Sequence, residues 1–407
     1  MPSLLSINNY YYLRGGAEAV FLRHNALFEG MGWSVVPFAM HHSNNIVSPW
    51  SRYFVEEIEF GSEYSLWGKL RRVPKVIYSF EAQRKIANLL DIFPADICHA
   101  HNIYHHISPS VLKLIKQRGI PIVMTLHDLK LACPAYNMLA RDGICERCKG
   151  GRIHNVLLHR CIKGSTALSA IVMTEALLHR VLRTFEQYVD RFVVPSHFYM
   201  NKLVEWGWDR ERFVHIPNAV DVDEYVPGYN PGQSFIYFGR LSREKGLSTL
   251  IKAAGLAGVA LRIVGTGPDE TSLHKLSDAT EADITFLGYL KGPALHDAVR
   301  SSRAVVLPSE WYENAPLSVL EAYALGKPVI GADIGGIPEL IQDDVTGVTF
   351  ESGSIEGLAT ALFRLSRFPD TRLSDMGRSG RTWMEREFSM EQYGLRMQDL
   401  YRGLGVQ

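Results

Sequence analysis

The chain has 407 residues, enough for two hydrophobic cores, since single cores stop growing at about 250–300 residues. It is 46% hydrophobic and 21% charged, which excludes wholesale disorder and fibrous or collagen-like classes. Its 43 basic residues cancel its 43 acidic ones, so no global field is available to hold a nucleic acid.

Short β-rich apolar runs alternate with amphipathic segments from the start. "SLLSIN" (3–8) reads as a strand, 17–31 as a helix and "WSVVPFA" (33–39) as the next strand. The apolar part of "MPSLLSINNYYYLRGG" is too short for a signal peptide, and no run approaches the roughly 18 residues of a membrane span. The expected compartment is the cytosol. Segment 66–90 carries Trp67 and six basic residues against one acidic residue, which fits either a solvated helix face or peripheral contact with an anionic inner-membrane surface. "ADICHA" (95–100) reads as a strand with Cys98 buried in it. It runs into "HAHNIYHH" (99–106), where Ile103 and Tyr104 interrupt the histidines, so His101 and Asn102 are expected to line the acceptor side of a cleft rather than hold a metal. A helix over 108–118 and the strand "PIVMTLH" (121–127), ending on His127, complete this series.

The stretch 133–161 then concentrates Cys133, Cys145, Cys148 and Cys161. In a reducing compartment this set reads as metal ligands or thiols rather than disulfides. Its central Cys-x2-Cys has the bite of a tetrahedral zinc site, with one further cysteine on either side and His154 and His159 as rival ligands. Structural Zn²⁺ is the expected cofactor. A tetrathiolate site has no open position and no chemistry of its own.

After "RFVVPS" (191–196), periodicity lapses over "IPNAVDVDEY" (216–225), which reads as a hinge. Asp221 and Asp223 have the spacing of a cation-binding pair, but at a hinge they are better explained as a turn. A second strand series follows: 234–240, 261–267, 284–290, 304–309 and 328–333. Alternation of this kind is the signature of parallel strands with crossover helices, so the expected fold is α/β with two doubly wound, Rossmann-like domains facing a cleft.

Charged and glycine-rich positions cluster at the ends of the second strand series. In "FGRLSREKG" (238–246), Arg240 and Lys245 would aim two cations into the crevice; Arg243 and Lys252 compete for that role, and a solvated loop is the plainer reading. "VGTGP" (264–268) supplies Gly265 and Gly267 either for close ligand approach or for a tight turn. Gly288 ends "ITFLG", with Phe286 and Tyr289 expected to pack. In "PSEWYENAPLSVLEAYALGKP", Asn314 is expected to cap a helix that tolerates Pro316 in its first turn and stops at Gly326. Glu313 and Glu321 would then lie about 80° apart on the helix projection. Free N–H groups over Ala315–Leu317 would favour an anion. Alternatively, the two carboxylates simply face solvent and complement the helix dipole.

Taken in order, Arg240, Lys245, Gly265 to Pro268, Gly288 and the Glu313-x7-Glu321 pair resemble the donor half of retaining GT-B glycosyltransferases of family 4. "YYLRGGAE" (11–18) resembles that family's Gly-Gly loop, "TLHD" (125–128) its active-site histidine strand and "IPNAVD" (216–221) its hinge. The resemblance implies an N-terminal acceptor domain over 1–219, with the cysteine insert at about 129–165, a nucleotide-sugar domain over 220–384, and a C-terminal helix, 385–407, crossing back. It also implies that a hexosyl group moves from a UDP- or GDP-sugar to a hydroxyl of a glycan or lipid-linked glycan, without a catalytic divalent metal. Arg240 and Lys245 would bind the diphosphate, Glu321 the ribose and Glu313 the transferred sugar. Gly15 and Gly16 would close over the phosphates. His127 would meet the donor sugar or orient the acceptor, and Gly265, Gly267, Gly288, Asn314, Ala315 and Leu317 would complete the donor site. The family often has Gly-Phe-Gly after the first glutamate where this chain has Asn314-Ala315-Pro316, and Pro316 has no N–H to offer a phosphate. A nucleotide-sugar epimerase and a non-catalytic nucleotide-sugar binder are the alternatives on this fold.

Overall fold

The computed structural model describes residues 1–57, 74–280 and 282–406. Two six-stranded parallel sheets organise it. The first has the order β2-β1-β3-β4-β7-β8, built from β1 (Ser3–Ile7), β2 (Ser34–Phe38), β3 (Ile97–Ala100), β4 (Ile122–Thr125), β7 (Arg191–Val194) and β8 (Phe213–His215). The second has the order β11-β10-β9-β12-β13-β14, from β9 (Phe235–Phe238), β10 (Leu261–Val264), β11 (Ile284–Gly288), β12 (Val305–Leu307), β13 (Val329–Asp333) and β14 (Gly347–Glu351). A two-stranded antiparallel hairpin, β5 (Leu139–Ala140) and β6 (Gly143–Ile144), stands apart inside the cysteine segment.

Strands such as β1, β3, β4 and β9 are buried along their full length, which is why they read as continuous apolar runs rather than alternating ones. Helices cover both faces, and each sheet has its own core. The helix Asp370–Glu387 packs on Leu317–Ala324 in the second lobe. The chain then crosses at Ser389, and the helix Met390–Gly403 buries Tyr393, Met397 and Tyr401 against Leu4, Phe28 and Ile97 of the first lobe. Among the described residues no helix is long and apolar enough to cross a membrane. Of the basic segment 66–90, Trp67, Lys69, Arg71 and Arg72 lie outside the described residues. Lys75 is engaged by Glu81 at 2.7 Å and Glu56 at 3.0 Å.

The returning helix is tied to the first lobe by buried polar groups as well as by apolar contact. The Tyr393 hydroxyl meets His24 Nδ1 at 3.0 Å, and the Tyr401 hydroxyl lies between His24 Nε2, at 3.2 Å, and His99 Nδ1. His99 Nε2 in turn meets the Thr125 hydroxyl at 2.7 Å. Burial pushes the His24 ring down to about 3 and His99 well below its usual range, so both stay neutral in the fold. Unfolding frees them to bind protons near their ordinary value of about 6.5, so the stability they supply is present above that pH and falls as acid is added. Tyr401→Phe removes one hydroxyl and strands two buried imidazole nitrogens. We expect a loss of about 2–4 kcal/mol in denaturant unfolding; a loss under about 0.5 kcal/mol would show that the hydroxyl does not hold this helix.

Candidate active site at the seam between the lobes

Lys245 is delivered by the 3-10 turn Arg243–Lys245, and that turn sits where it does because Gly246 follows it in the left-handed region, with φ +69°. A Cβ on Gly246 would lie 1.9 Å from the Pro308 carbonyl oxygen, so only glycine lets this turn press against the end of β12. Lys245 Nζ therefore reaches Glu313 Oε1 at 2.6 Å. Ser309 donates to the same oxygen at 2.7 Å. Burial alone would push the Glu313 carboxyl up, but the Lys245 charge and its hydrogen bond more than offset this, so Glu313 ionises below its ordinary value. Arg240, at the end of β9, is exposed, and among the described residues no carboxylate lies within ion-pair distance of it. Of its rivals, Arg243 is held by the Arg141 carbonyl of the insert and Lys252 is exposed on the helix Leu247–Ala257.

The helix after Glu313 begins at Leu317, capped by Pro316 rather than by Asn314. Asn314 is used across the seam instead: its Oδ1 accepts from the Ser196 hydroxyl at 2.8 Å and its Nδ2 donates to the Leu126 carbonyl at 2.9 Å. Asn218 donates to the Ala315 carbonyl at 2.8 Å, and a Cβ on Gly16 would lie 3.9 Å from Leu317 Cδ1. Thus Gly16, at the start of the helix Gly16–Gly30 and just after its cap Gly15, abuts the N-terminus of Leu317–Ala324. Glu321 lies one turn into that helix, where the Tyr225 hydroxyl donates to it at 3.4 Å; Arg23 of the opposite lobe reaches the same hydroxyl at 3.3 Å. Burial pushes the Glu321 carboxyl up. The two glutamates are therefore driven in opposite directions.

Several sequence expectations change here. His101 does not line the cleft: it is fully buried beneath His127, with Nδ1 2.8 Å from His127 Nε2 and the rings stacked. Gly265 and Gly267 are required by contacts within the lobe, since a Cβ on them would lie 1.8 Å from the Gly239 oxygen and 2.1 Å from the Leu241 oxygen. Gly288 takes φ +64° at the end of β11, and its carbonyl accepts from Gly265 N at 2.7 Å. Asn102 is held at its backbone N–H by Asn8 Oδ1, 3.1 Å away. Asp221 accepts from Asp223 N at 3.1 Å, forming a turn. Tyr289 is exposed rather than packed, and Cys98 is buried in β3.

Asp128 is a site residue that sequence reading passed over, although it adjoins His127. Burial pushes its carboxyl up to about 6, and it accepts from Lys130 N at 2.9 Å. Above it the insert contributes Tyr136, whose hydroxyl is pushed up by burial and by the Asp128 charge while Arg240 pulls it down. Cys133, Cys145, Cys148 and Cys161, together with His159, are among the residues that line one cavity of about 10 Å³.

Two facing Rossmann-like lobes, joined by a hinge and a returning C-terminal helix, define a GT-B architecture. Residues 14–224 match the family described as Glycosyltransferase Family 4, and residues 229–383 match Glycosyl transferases group 1. The chain belongs to glycosyltransferase family 4. It is 29% identical over 306 residues to the D-inositol 3-phosphate glycosyltransferase of Pseudarthrobacter chlorophenolicus, covering 70% of this chain and 65% of that protein. It is 30% identical over 248 residues to a GDP-mannose-dependent alpha-(1-6)-phosphatidylinositol monomannoside mannosyltransferase of Mycobacterium tuberculosis, covering 55% of this chain and 64% of that one. The chain thus spans just under two thirds of the length of these relatives. Among solved structures it is similar to the sucrose-phosphate synthase of Thermosynechococcus elongatus (TM-score 0.72, 17% identity, 99% of both chains). It is also similar to an Anabaena protein solved in complex with UDP and glucose (TM-score 0.68, 16% identity, 100% of both chains).

The ion pair makes a checkable prediction. In Lys245→Met, Glu313 stays buried without its counter-charge and its proton affinity rises, whereas in the parent it is ionised at both pH 5 and pH 8. The variant should lose about 1–3 kcal/mol at pH 8 and less at pH 5, where acid neutralises Glu313. Adding Glu313→Gln should abolish that pH dependence, as read by denaturant unfolding; an equal loss at both pH values would contradict the pairing.

Proposed function

We propose that this protein moves a hexosyl group from a nucleoside diphosphate sugar to a hydroxyl of a glycan or lipid-linked glycan, with retention of configuration. The observation that carries this reading is the Lys245–Glu313 pair set beside the N-terminus of Leu317–Ala324 at the seam between the lobes, with Arg240 exposed and in no ion pair among the described residues. Breaking the bond between the sugar and the diphosphate builds negative charge on the leaving oxygen. Preorganised cations and backbone N–H groups stabilise such charge without reorganising. In this reading Arg240 and Lys245 hold the diphosphate, and the amide of Leu317 adds a donor that Pro316 cannot supply. Glu313, kept ionised by Lys245, meets the transferred sugar. Glu321 takes the ribose hydroxyls, His127 the donor sugar, and Gly15 and Gly16 close over the phosphates from the opposite lobe. Binding of UDP and glucose by the Anabaena neighbour and use of GDP-mannose by the mycobacterial relative support a nucleotide-sugar donor of one of these two kinds.

Glu313→Gln should lower acceptor-dependent nucleotide release about a hundredfold or more while leaving nucleoside diphosphate affinity within a few-fold. Arg240→Ala should weaken both. Normal turnover in Glu313→Gln would remove the sugar-contact role, and release of an epimerised nucleotide sugar without acceptor would replace transfer by epimerisation.

The insert is read here as a structural zinc site. Four cysteines line one cavity of about 10 Å³, and a single ion drawn in among them would gather their thiols; burial pushes Cys133 up to about 11 and Cys148 up to about 12. A bound divalent cation would hold all four as thiolates, releasing protons, and would brace the loop that carries Tyr136 over the cleft. Elemental analysis of the purified protein should show about one zinc per chain that is lost in Cys148→Ser. Less than about half an equivalent in the parent would reject the site.

A further inference from the structure

A second cluster of ligating groups lies across the seam, outside the donor site and the cysteine insert. His197 begins the helix His197–Glu205, His215 ends β8, and Glu339 comes from the 3-10 turn Pro338–Leu340 of the opposite lobe. One ligating atom from each falls within 4.8 Å of the other two. The two imidazole rings lie with centroids 3.8 Å apart, tilted by 31°.

Two features distinguish this cluster from a chance meeting of polar side chains. The Glu339 carboxylate is already oriented, since Oε2 accepts from His197 N at 2.7 Å and Oε1 from Phe198 N at 2.5 Å. Each oxygen keeps a further lone pair for a cation. Outer partners of this kind, N–H donors on the carboxylate, are what hold metal ligands in place. Finally, the cluster opens on a cavity of about 430 Å³ that Ala315, Trp383 and Arg396 also line, which leaves room for water at the remaining coordination positions. Arg396 is the nearby cation, and its charge is met by Glu387 at 2.9 Å.

We propose that His197, His215 and Glu339 form a binding site for a borderline divalent transition metal such as Zn²⁺ or Ni²⁺. Two imidazoles and one carboxylate suit such ions better than Mg²⁺ or Ca²⁺, which prefer all-oxygen shells. Because two ligands come from the first lobe and one from the second, the ion ties the lobes together. The tie also lies directly behind the donor loop: Gly336, on the cavity wall, donates to the Glu313 carbonyl at 2.8 Å. The ion is a clasp on the closed arrangement of the lobes. It does not depend on the glycosyl-transfer reading, and its test needs no substrate.

The test is calorimetric titration of the full chain with NiCl₂, together with Co²⁺ absorption spectra. We expect one Ni²⁺ per chain at this site and at least a tenfold loss of affinity in His197→Asn, in His215→Gln and in Glu339→Gln. The glutamine keeps a carbonyl oxygen for the helix amides, and His197 is exposed, so these two variants should fold even if His215→Gln does not. Co²⁺ displaced by this Ni²⁺ should lack the thiolate charge-transfer absorption that cysteine ligation gives, which separates the clasp from the insert. Undiminished Ni²⁺ binding in both His197→Asn and Glu339→Gln, only thiolate-bound Co²⁺, or no Ni²⁺ binding at millimolar concentration would each overturn the proposal.

Discussion

A carboxylate buried at a lobe boundary must have a counter-charge, and the 2.6 Å contact between Lys245 and Glu313 meets that requirement. Much of the second lobe follows from it. Gly246 presses the Lys245 turn onto β12, Ser309 at the end of that strand donates to Glu313, and Gly336 N donates to the Glu313 carbonyl. The loop that carries Glu313 is thus over-determined by its own lobe. It is a rigid wall against which the opposite lobe can close.

The seam between the lobes carries many polar contacts beside the packing of Tyr312 on Phe198. Ser196 with Asn314, Asn218 with the Ala315 carbonyl, and Glu339 with the first amides of His197–Glu205 join the lobes by a few hydrogen bonds. An interface of that kind exchanges readily with water and suits a hinge whose opening admits ligand. The main apolar tie lies elsewhere, where Met390–Gly403 packs on the first lobe. Opening therefore has a pivot at the crossing near Ser389 and a set of replaceable contacts at the site.

The parallel sheets were legible because strands buried on both faces must be apolar along their whole length, as "IVMT" and "FIYF" are. β8 and β14 escaped notice. The first has three residues and adjoins the hinge, and the second, "GVTFE", is half polar at a sheet edge. Lys245, Glu313 and Glu321 were readable from their positions at strand and helix ends. The role of Asn314 was not, because its partners Ser196 and Leu126 lie 118 and 188 residues away, and local capping rules see neither. His101 was misplaced for the same reason: alternation along β3 does not say that His127 will stack over it. Gly265 and Gly267 were noticed as glycines, but the backbone oxygens that require them belong to a neighbouring strand end.

The central claim is that Arg240 and Lys245, together with the first amides of Leu317–Ala324, receive a diphosphate. A crystal structure with UDP or GDP bound tests it most directly. The account predicts diphosphate oxygens within about 3 Å of the Arg240 guanidinium, the Lys245 ammonium and the Leu317 N–H. A nucleotide lodged in the second lobe with its diphosphate turned away from all three would contradict it.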